Sequence, residues 1–260
     1  MSPWKDLKEA QHRCGRNRLA MLLEALSLWP FGISLQDYLD QQLFLPRPGY
    51  AKRDFIGDRA GGWLDYHLNP RSDWALVDDK LTCQVLLEAA GLPTPGLLAC
   101  YESPARPLVG LRTLSHPEQL HGFLAETGSG LFMKPVRSGQ GQGCLAIRHY
   151  LPEQQCLLLE NGGQMKLDEL LQQLARQSYL FQERLKPHAS LARLHPVLAS
   201  LRVVVLQKPE QPKLFRCLLR LPTGKNMVDN FSNGVTGNLL ASVDPASGTI
   251  EKVATGRGMQ

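Results

Sequence analysis

The stretch FMKPVRSGQGQGCLAI, Phe132 to Ile147, joins two apolar runs through a loop in which Gly139, Gly141 and Gly143 alternate with polar residues. Upstream, LFMKPV has the length and composition of a strand and delivers Lys134 near its end, while CLAIRHY reads as the returning strand. Common phosphate-binding motifs fit poorly. A dinucleotide fingerprint needs a wider spacing before its third glycine and a helix after it, but here Cys144 follows Gly143 directly and a strand comes next. A P-loop places lysine and then Ser or Thr after the glycines, whereas Lys134 precedes them, and the Gly224–Lys225 pair runs into Asn226. Two readings stay open. Either the bare N–H groups of a strand-to-strand loop fold over phosphate oxygens beside a delivered cation, or the loop is a plain hairpin with an exposed lysine.

Composition narrows the classes. The chain has 260 residues, 43% hydrophobic and 20% charged, the balance of an ordinary folded domain pair. Its net charge of +5 is spread along the length, which suits small anions as well as nucleic acid. No aromatic stacking motif supports a nucleic-acid partner, so none is expected. The most apolar N-terminal stretch, Leu19 to Leu35, carries Glu24 and is broken by Pro30 and Gly32, which fits neither a signal peptide nor a membrane span. Six scattered cysteines, without a CxxC pair or a His/Cys cluster, read as reduced thiols of a cytoplasmic protein that holds no zinc.

Residues 1 to about 45 have helical spacing at Leu19, Leu22, Leu23 and Leu26, and LPRPGYAKRDFIGDRAGG then reads as an irregular connection. From Trp74 the pattern changes. ALVDDKLTCQVLLEAAGLPTP is a helix with Asp78 or Asp79 as its cap, Gly91 at its left-handed end and Pro93 as its stop. GLLACYE is a strand, SHPE a capping box opening a helix to about Glu126, and CLLLE a further strand. A helix over 166–177 and the strand YLFQERL follow. The remainder, SLRVVVLQ, KLFRCLLRLP, MVDNFSNG and NLLASVDPASG, reads as short β segments between turns. The expected organisation is α+β: an N-terminal helical and irregular segment (1–72), a first lobe with the glycine loop (73–180), and a mostly antiparallel second lobe (181–260).

Three further features bear on chemistry. Lys80 sits in the first turn of its helix, where a cation opposes the helix dipole; a bound phosphate would reverse that cost, and so would Asp78 or Asp79. YLFQERLKPH leaves Gln182, Glu183 and Leu185 at a strand end beside Pro187, a backbone edge suited to a planar base or simply the end of a strand. In the later strands Arg202 shares a face with Val204 and Leu206, and Arg216 and Arg220 share one with Leu214 and Leu218. An arginine on an apolar face calls for an anion, either phosphate or a carboxylate such as Asp229, Glu183 or Glu210.

Taken in order, DDKLTCQVLLEAAGLPTP, FMKPVRSGQGQG, LFQERLKPHASLARLHPVLASLRVVVL and LLRLPTGKNMVDNFSNG…VDPASGTI resemble the ATP-grasp superfamily, and within it the branch associated with sugar transfer. ISLQDYL near the N-terminus fits as well. The resemblance implies an ATP-grasp fold whose two α+β lobes hold ATP and Mg2+, and an activity that joins a carboxylate to an amine or other nucleophile, in polysaccharide or sugar-conjugate synthesis. By motif position, Lys80 and Lys134 contact phosphates, and Ser138, Gly139, Gly141 and Gly143 belong to the lid. Gln182, Glu183 and Leu185 form the adenine hinge, with His188 near the ribose. Arg202 and Arg220 face the transferred phosphoryl group, Asp229 and Asn230 lie at the metal, and Arg216, Lys225 and Asn233 shape an acceptor pocket. The sequence departs from the pattern in two places. Asn233 and Gly234 stand where the family tends to have paired glycines, and no late Glu-x-Asn appears before Gln260, where EKVATGRGMQ offers only Glu251. The second lobe therefore reads as incomplete, with Glu183 or a partner subunit as other sources of metal ligands, and a nucleotide-binding or scaffolding module of the same fold is the alternative to a ligase. An oligomer is compatible with all of this.

Overall fold

The computed structural model describes residues 3–46, 48–102, 110–139, 141–208 and 210–256, with the backbone alone of Asn233. The chain forms two compact units, one built on the residues up to Trp74 and the other on Ala75–Ser232 with Thr236–Val253.

In the first unit α1 (Pro3–Cys14), α2 (Arg18–Leu28) and α3 (Leu35–Asp40) surround a core that includes Leu7, Met21, Ile33, Tyr38 and Leu43, and α4 (Asp58–Leu68) follows with no buried residue of its own. Pro30 and Gly32 end the second helix region as the sequence predicts, Gly32 taking φ +76°. The predicted irregular connection is cut short by α4, and the reason is tertiary. Asp37, in a capping box with Ser34 at the start of α3, also accepts the N–H of Asp58 at 2.9 Å and so caps a helix twenty-one residues away. Glu24 is the charged centre of this unit, accepting from Arg16 at 2.7 Å, from the Tyr38 hydroxyl at 2.5 Å and from Lys52. Burial pushes its carboxyl up, but these donors together hold it below the ordinary glutamate value.

The second unit begins within α5 (Arg71–Asp78) and continues through α6 (Lys80–Ala89), capped by Asp79 and ended by Gly91 at φ +70° as predicted. Then come β1 (Leu97–Tyr101), β2 (Thr113–Leu114), α7 (Pro117–Thr127), β3 (Ser129–Pro135), β4 (Leu145–Leu151), β5 (Cys156–Leu159), β6 (Gln164–Lys166), α8 (Leu167–Leu174) and β7 (Tyr179–Glu183). Their sheet has seven strands in the order β2-β1-β7-β3-β4-β5-β6. The cap of α7 falls one residue later than the sequence suggests: Gln119 Oε1 accepts from the N–H groups of both Ser115 and His116, displacing the expected Ser115–Glu118 box.

Period-two alternation buries both faces of this sheet. Leu131 and Met133 of β3, with Phe181 of β7 and Ile147 of β4, pack under Phe123 of α7 and Leu170 of α8. Val136 just past β3, Leu180 of β7 and Cys100 of β1 pack on the opposite face against Leu81 of α6. Phe132, Lys134, Ala146 and Gln182 lie on that second face by register, and of these Gln182 reaches α6 through Gln84.

After α9 (Ala189–Ala192) the strands β8 (Ser200–Leu206), β9 (Lys213–Leu221), β10 (Leu239–Val243) and β11 (Ile250–Ala254) form an antiparallel sheet, ordered β11-β10-β9-β8. MVDNFSNG, predicted as β, is instead a loop with a 3-10 turn at Ser232–Gly234. The fully buried Asn238 amide donates to the carbonyls of Val228 and Asn230 at 2.9 and 2.8 Å, satisfying groups that a ladder would otherwise use. Among the described residues no helix is long and apolar enough to cross a membrane.

Candidate functional site

Within the second unit a cleft of about 240 Å³ opens between the uncovered part of the seven-stranded sheet and the β8–β9 edge of the other. Phe132 and Lys134 line it from β3, Ala146 from β4, Gln182 and Glu183 from β7, and Ser200 and Arg220 from β8 and β9. Leu185 and Asp229 complete the sequence-predicted members that reach it.

Lys134 is the cation of the covered sheet. Among the described residues no carboxylate lies within ion-pair distance of it, and burial pushes its ammonium below the ordinary lysine value. The Cys144 thiol pulls the other way, and Lys80 reinforces the drop. Lys80 itself is held by the lid: its Nζ donates to the carbonyl of Ser138 at 2.5 Å and lies 3.4 Å from the Ser138 hydroxyl. Among the described residues neither Asp78 nor Asp79 pairs with Lys80, and Asp79 instead caps α6 and pairs with Arg137 at 3.3 Å. Two lysines thus converge near the start of the glycine loop.

The three lid glycines are not equivalent. Gly141 and Gly143 both have φ +73°, and a Cβ on Gly141 would stand 2.5 Å from Nδ2 of Asn230, while one on Gly143 would stand 2.9 Å from Pro135 and the Tyr179 hydroxyl. At Gly139 a Cβ would meet nothing within 4 Å. The loop is therefore laid directly on the segment that carries Val228 and Asn230. Gln140, inside the predicted lid, lies outside the described residues.

The predicted hinge divides. Gln182 is buried, and its side-chain amide donates to Gln84 of α6, whose own amide donates to the carbonyl of Pro95 at 2.8 Å. Its side chain is consumed in fixing the hinge. The Glu183 N–H donates to Gly96 at 2.8 Å, and the main chain of Leu185 has no hydrogen-bond partner among the described residues. His188 is placed elsewhere, capping α9 by accepting the N–H of Ser190 at 3.3 Å, and does not line the cleft.

On the second sheet Arg220 is tethered on three sides. It donates to the Ser200 hydroxyl at 2.8 Å and to Oδ1 of Asn230 at 2.9 Å, and lies 3.4 Å from Asp229, which also accepts from Ser200. Arg202 is exposed on the same strand face and does not line the cleft. Arg216 is likewise exposed, its guanidinium 5.7 Å from the Phe215 ring, and the Asn233 side chain and residues 257–260 lie outside the described residues. As a cation site this end is not preset. Asp229 and Asn230 are engaged by Arg220 and Ser200, and among the described residues no group of three or more His, Cys, Asp or Glu could hold a metal.

Sequence reasoning missed Phe132 and Ala146, the apolar floor, and Ser200, which orients Arg220. Strand alternation around Lys134 and Arg220 carried that signal, since residues two apart share a face. It also missed Glu160 and Arg184, which line the cleft from different strand ends and meet only once the sheet register is known.

Residues 63–259 match the family described as sugar-transfer associated ATP-grasp, and the chain belongs to that family. Membership brings an ATP-dependent, ligase-like function as the coarse assignment and is consistent with the α+β architecture described above. No curated protein sequence matches the chain.

Proposed function

We propose that this member of the family binds ATP in the cleft and joins a carboxylate to an amine or another nucleophile through an acyl phosphate, in the assembly of a polysaccharide or sugar conjugate. The lobes would be 73–180 and 181–260. The observation that carries the reading is Lys134: a half-buried ammonium with no carboxylate partner among the described residues, one strand pleat from the apolar floor of Phe132 and Ala146 and a few residues ahead of the glycine loop. A desolvated cation of that kind is stabilised by an anion, and the floor suits a flat apolar ring. The cleft is somewhat smaller than the roughly 300–1,000 Å³ that encloses a whole drug-sized ligand, so the triphosphate would extend past it towards Lys80 and the lid.

The residues then divide the labour. Lys134 and Lys80 neutralise phosphate oxygens, and the N–H groups of the loop from Ser138 to Gly143 close over them and exclude water. Leu185 offers its main chain to the base. Arg220, fixed by Ser200, Asp229 and Asn230, faces the cleft as the donor that offsets charge when a substrate carboxylate attacks the γ-phosphorus and the bond to the leaving diphosphate breaks. The nucleophile next displaces phosphate from the acyl carbon. Mg2+ would be held mainly by the triphosphate and water, with Asp229 and Asn230 adjacent only after Arg220 releases them.

Thermal unfolding with and without Mg-ATP, beside Lys134→Ala, tests the binding half. At ligand near 100 times its dissociation constant, stabilisation is about 2.7 kcal/mol, roughly 5–10 °C for a chain of this size. The shift should be lost in Lys134→Ala, and an unshifted wild type at millimolar Mg-ATP sinks the proposal. A second reading, a nucleotide-binding or scaffolding module without turnover, is favoured by the engagement of Asp229 and Asn230 with Arg220. ADP release with carboxylate and amine panels separates the two, since only a ligase produces it.

A further inference from the structure

At the end of the cleft away from Lys134 lies an ion pair that the ATP reading leaves unused. Along β3, Lys134 stands opposite Leu180 and Phe132 opposite Gln182, and the next pocket-side row places Arg184, whose N–H donates to Gly130 at 2.8 Å. Four residues of strand separate the Lys134 row from the Arg184 row, a distance of about 13 Å. Glu160 approaches from the far side, its N–H bonded to Ala146 at 2.9 Å. The two side chains, 25% and 15% exposed, bridge the sheet face with Arg184 Nη1 2.7 Å from Glu160 Oε1. The contact is close but misaligned for a hydrogen bond, and it leaves a buried donor, Arg184 Nε, and a buried acceptor, Glu160 Oε1, unsatisfied.

Adjacent orphans of opposite type carry a cost that a ligand with the complementary pair would remove. A guanidinium only donates and a carboxylate only accepts, so the matching edge presents one acceptor beside one donor. The Hoogsteen edge of adenine does so with N7 and its N6 amino group, whereas guanine presents N7 and O6, both acceptors. We propose that Arg184 and Glu160 together read the Hoogsteen edge of the bound adenine, Arg184 donating to N7 and Glu160 accepting from N6, and so select ATP over GTP. Both residues line the cleft. The unpartnered main chain of Leu185 is left for the opposite edge of the base. This inference rests on the ATP reading of the cleft.

Isothermal titration of the wild-type chain with ATP, GTP and 7-deaza-ATP, which lacks N7, needs no substitution that could unfold the protein. The expected result is 7-deaza-ATP and GTP each bound about tenfold or more weakly than ATP, the scale of one charged hydrogen bond. Arg184→Gln should bind ATP and 7-deaza-ATP equally. Glu160→Gln, whose amide can turn an N–H towards O6, should raise affinity for GTP relative to ATP about tenfold. Equal binding of ATP and 7-deaza-ATP by the wild type, or a difference that persists in Arg184→Gln, overturns the role of the pair while leaving ATP in the cleft. No binding of any of the three nucleotides overturns the ATP reading and this inference together.

Discussion

The two sheets of the larger unit are written in the same alphabet and end in different states. On the seven-stranded sheet apolar residues are buried on both faces: Phe181 and Leu180 are neighbours in β7, point to opposite faces and are both fully buried. On the four-stranded sheet Leu201, Val203 and Phe215 are equally apolar but remain about half exposed. Alternation in sequence therefore specifies strand pairing, while burial depends on the helices packed against the sheet, α7 and α8 on one face of the first sheet and α6 on the other. The polar groups differ in the same way. The first sheet fixes its cleft residue Gln182 through another element, α6, and the second fixes Arg220 through the neighbouring strand and the loop after β9.

The sharpest way to break this contrast is a matched pair of truncations. Phe181→Ala removes a fully buried ring from the core beneath α7, where it lies edge-on to Phe123 with centroids 5.3 Å apart, and should cost about 3–5 kcal/mol. Phe215→Ala removes a ring that is 55% exposed and should stay within roughly 0.5 kcal/mol. Urea unfolding of both variants reads the difference. A Phe215→Ala cost approaching that of Phe181→Ala would mean that something covers the second sheet in solution.

The lid tests whether the two sheets are coupled. Gly141→Ala forces a side chain into the left-handed region, at roughly 1–2 kcal/mol, and drives its Cβ against Asn230, which holds Arg220. Both stability and nucleotide affinity should fall. Gly139→Ala meets open space and should be neutral or stabilising by a few tenths of a kcal/mol, through the unfolded chain. If the two variants bind Mg-ATP alike, contact between the loop and Asn230 has no part in closing the cleft.

Much of this was legible in the sequence, for identifiable reasons. The cap of α6 at Asp79, the stop at Gly91 and the strands around Lys134 and Arg220 are local signals, set within a few residues. Lys80 was singled out for its place in the first turn of α6, with a neighbouring aspartate as the alternative reading; its contact with Ser138, fifty-eight residues away, left no local signal. What stayed hidden depends on register. Glu160 and Arg184 come from opposite sides of the sheet and meet only because β3 and β4 lie between β7 and β5. Asp37 capping α4 and Asn238 holding the Val228–Asn230 loop are likewise long-range polar contacts with no periodicity to betray them. The resemblance to ATP-grasp proteins placed Gln182 and His188 at the nucleotide by motif position, yet the Gln182 side chain is spent on Gln84 and His188 caps α9.

The smallest expected effect compares the two cations of the cleft. Burial lowers the Lys134 value in the free protein, so between that value and the ordinary lysine value of about 10.4 the unfolded chain binds more protons than the folded one. Stability of the ligand-free protein should therefore gain from this residue as pH rises through the window. A phosphate beside Lys134 favours its charged form, so binding takes up a proton there and ATP affinity should fall over the same range. Arg220, by contrast, already has an anion beside it, Asp229 at 3.4 Å. Titrations of ATP from neutral to alkaline pH should thus show affinity declining in the wild type and declining less steeply, from a weaker value, in Lys134→Met, with Lys80 and Arg220 supplying what remains. If the slope is the same in both, the proton taken up on binding belongs to another group, and the missing carboxylate beside Lys134 does not set how the cleft answers to pH.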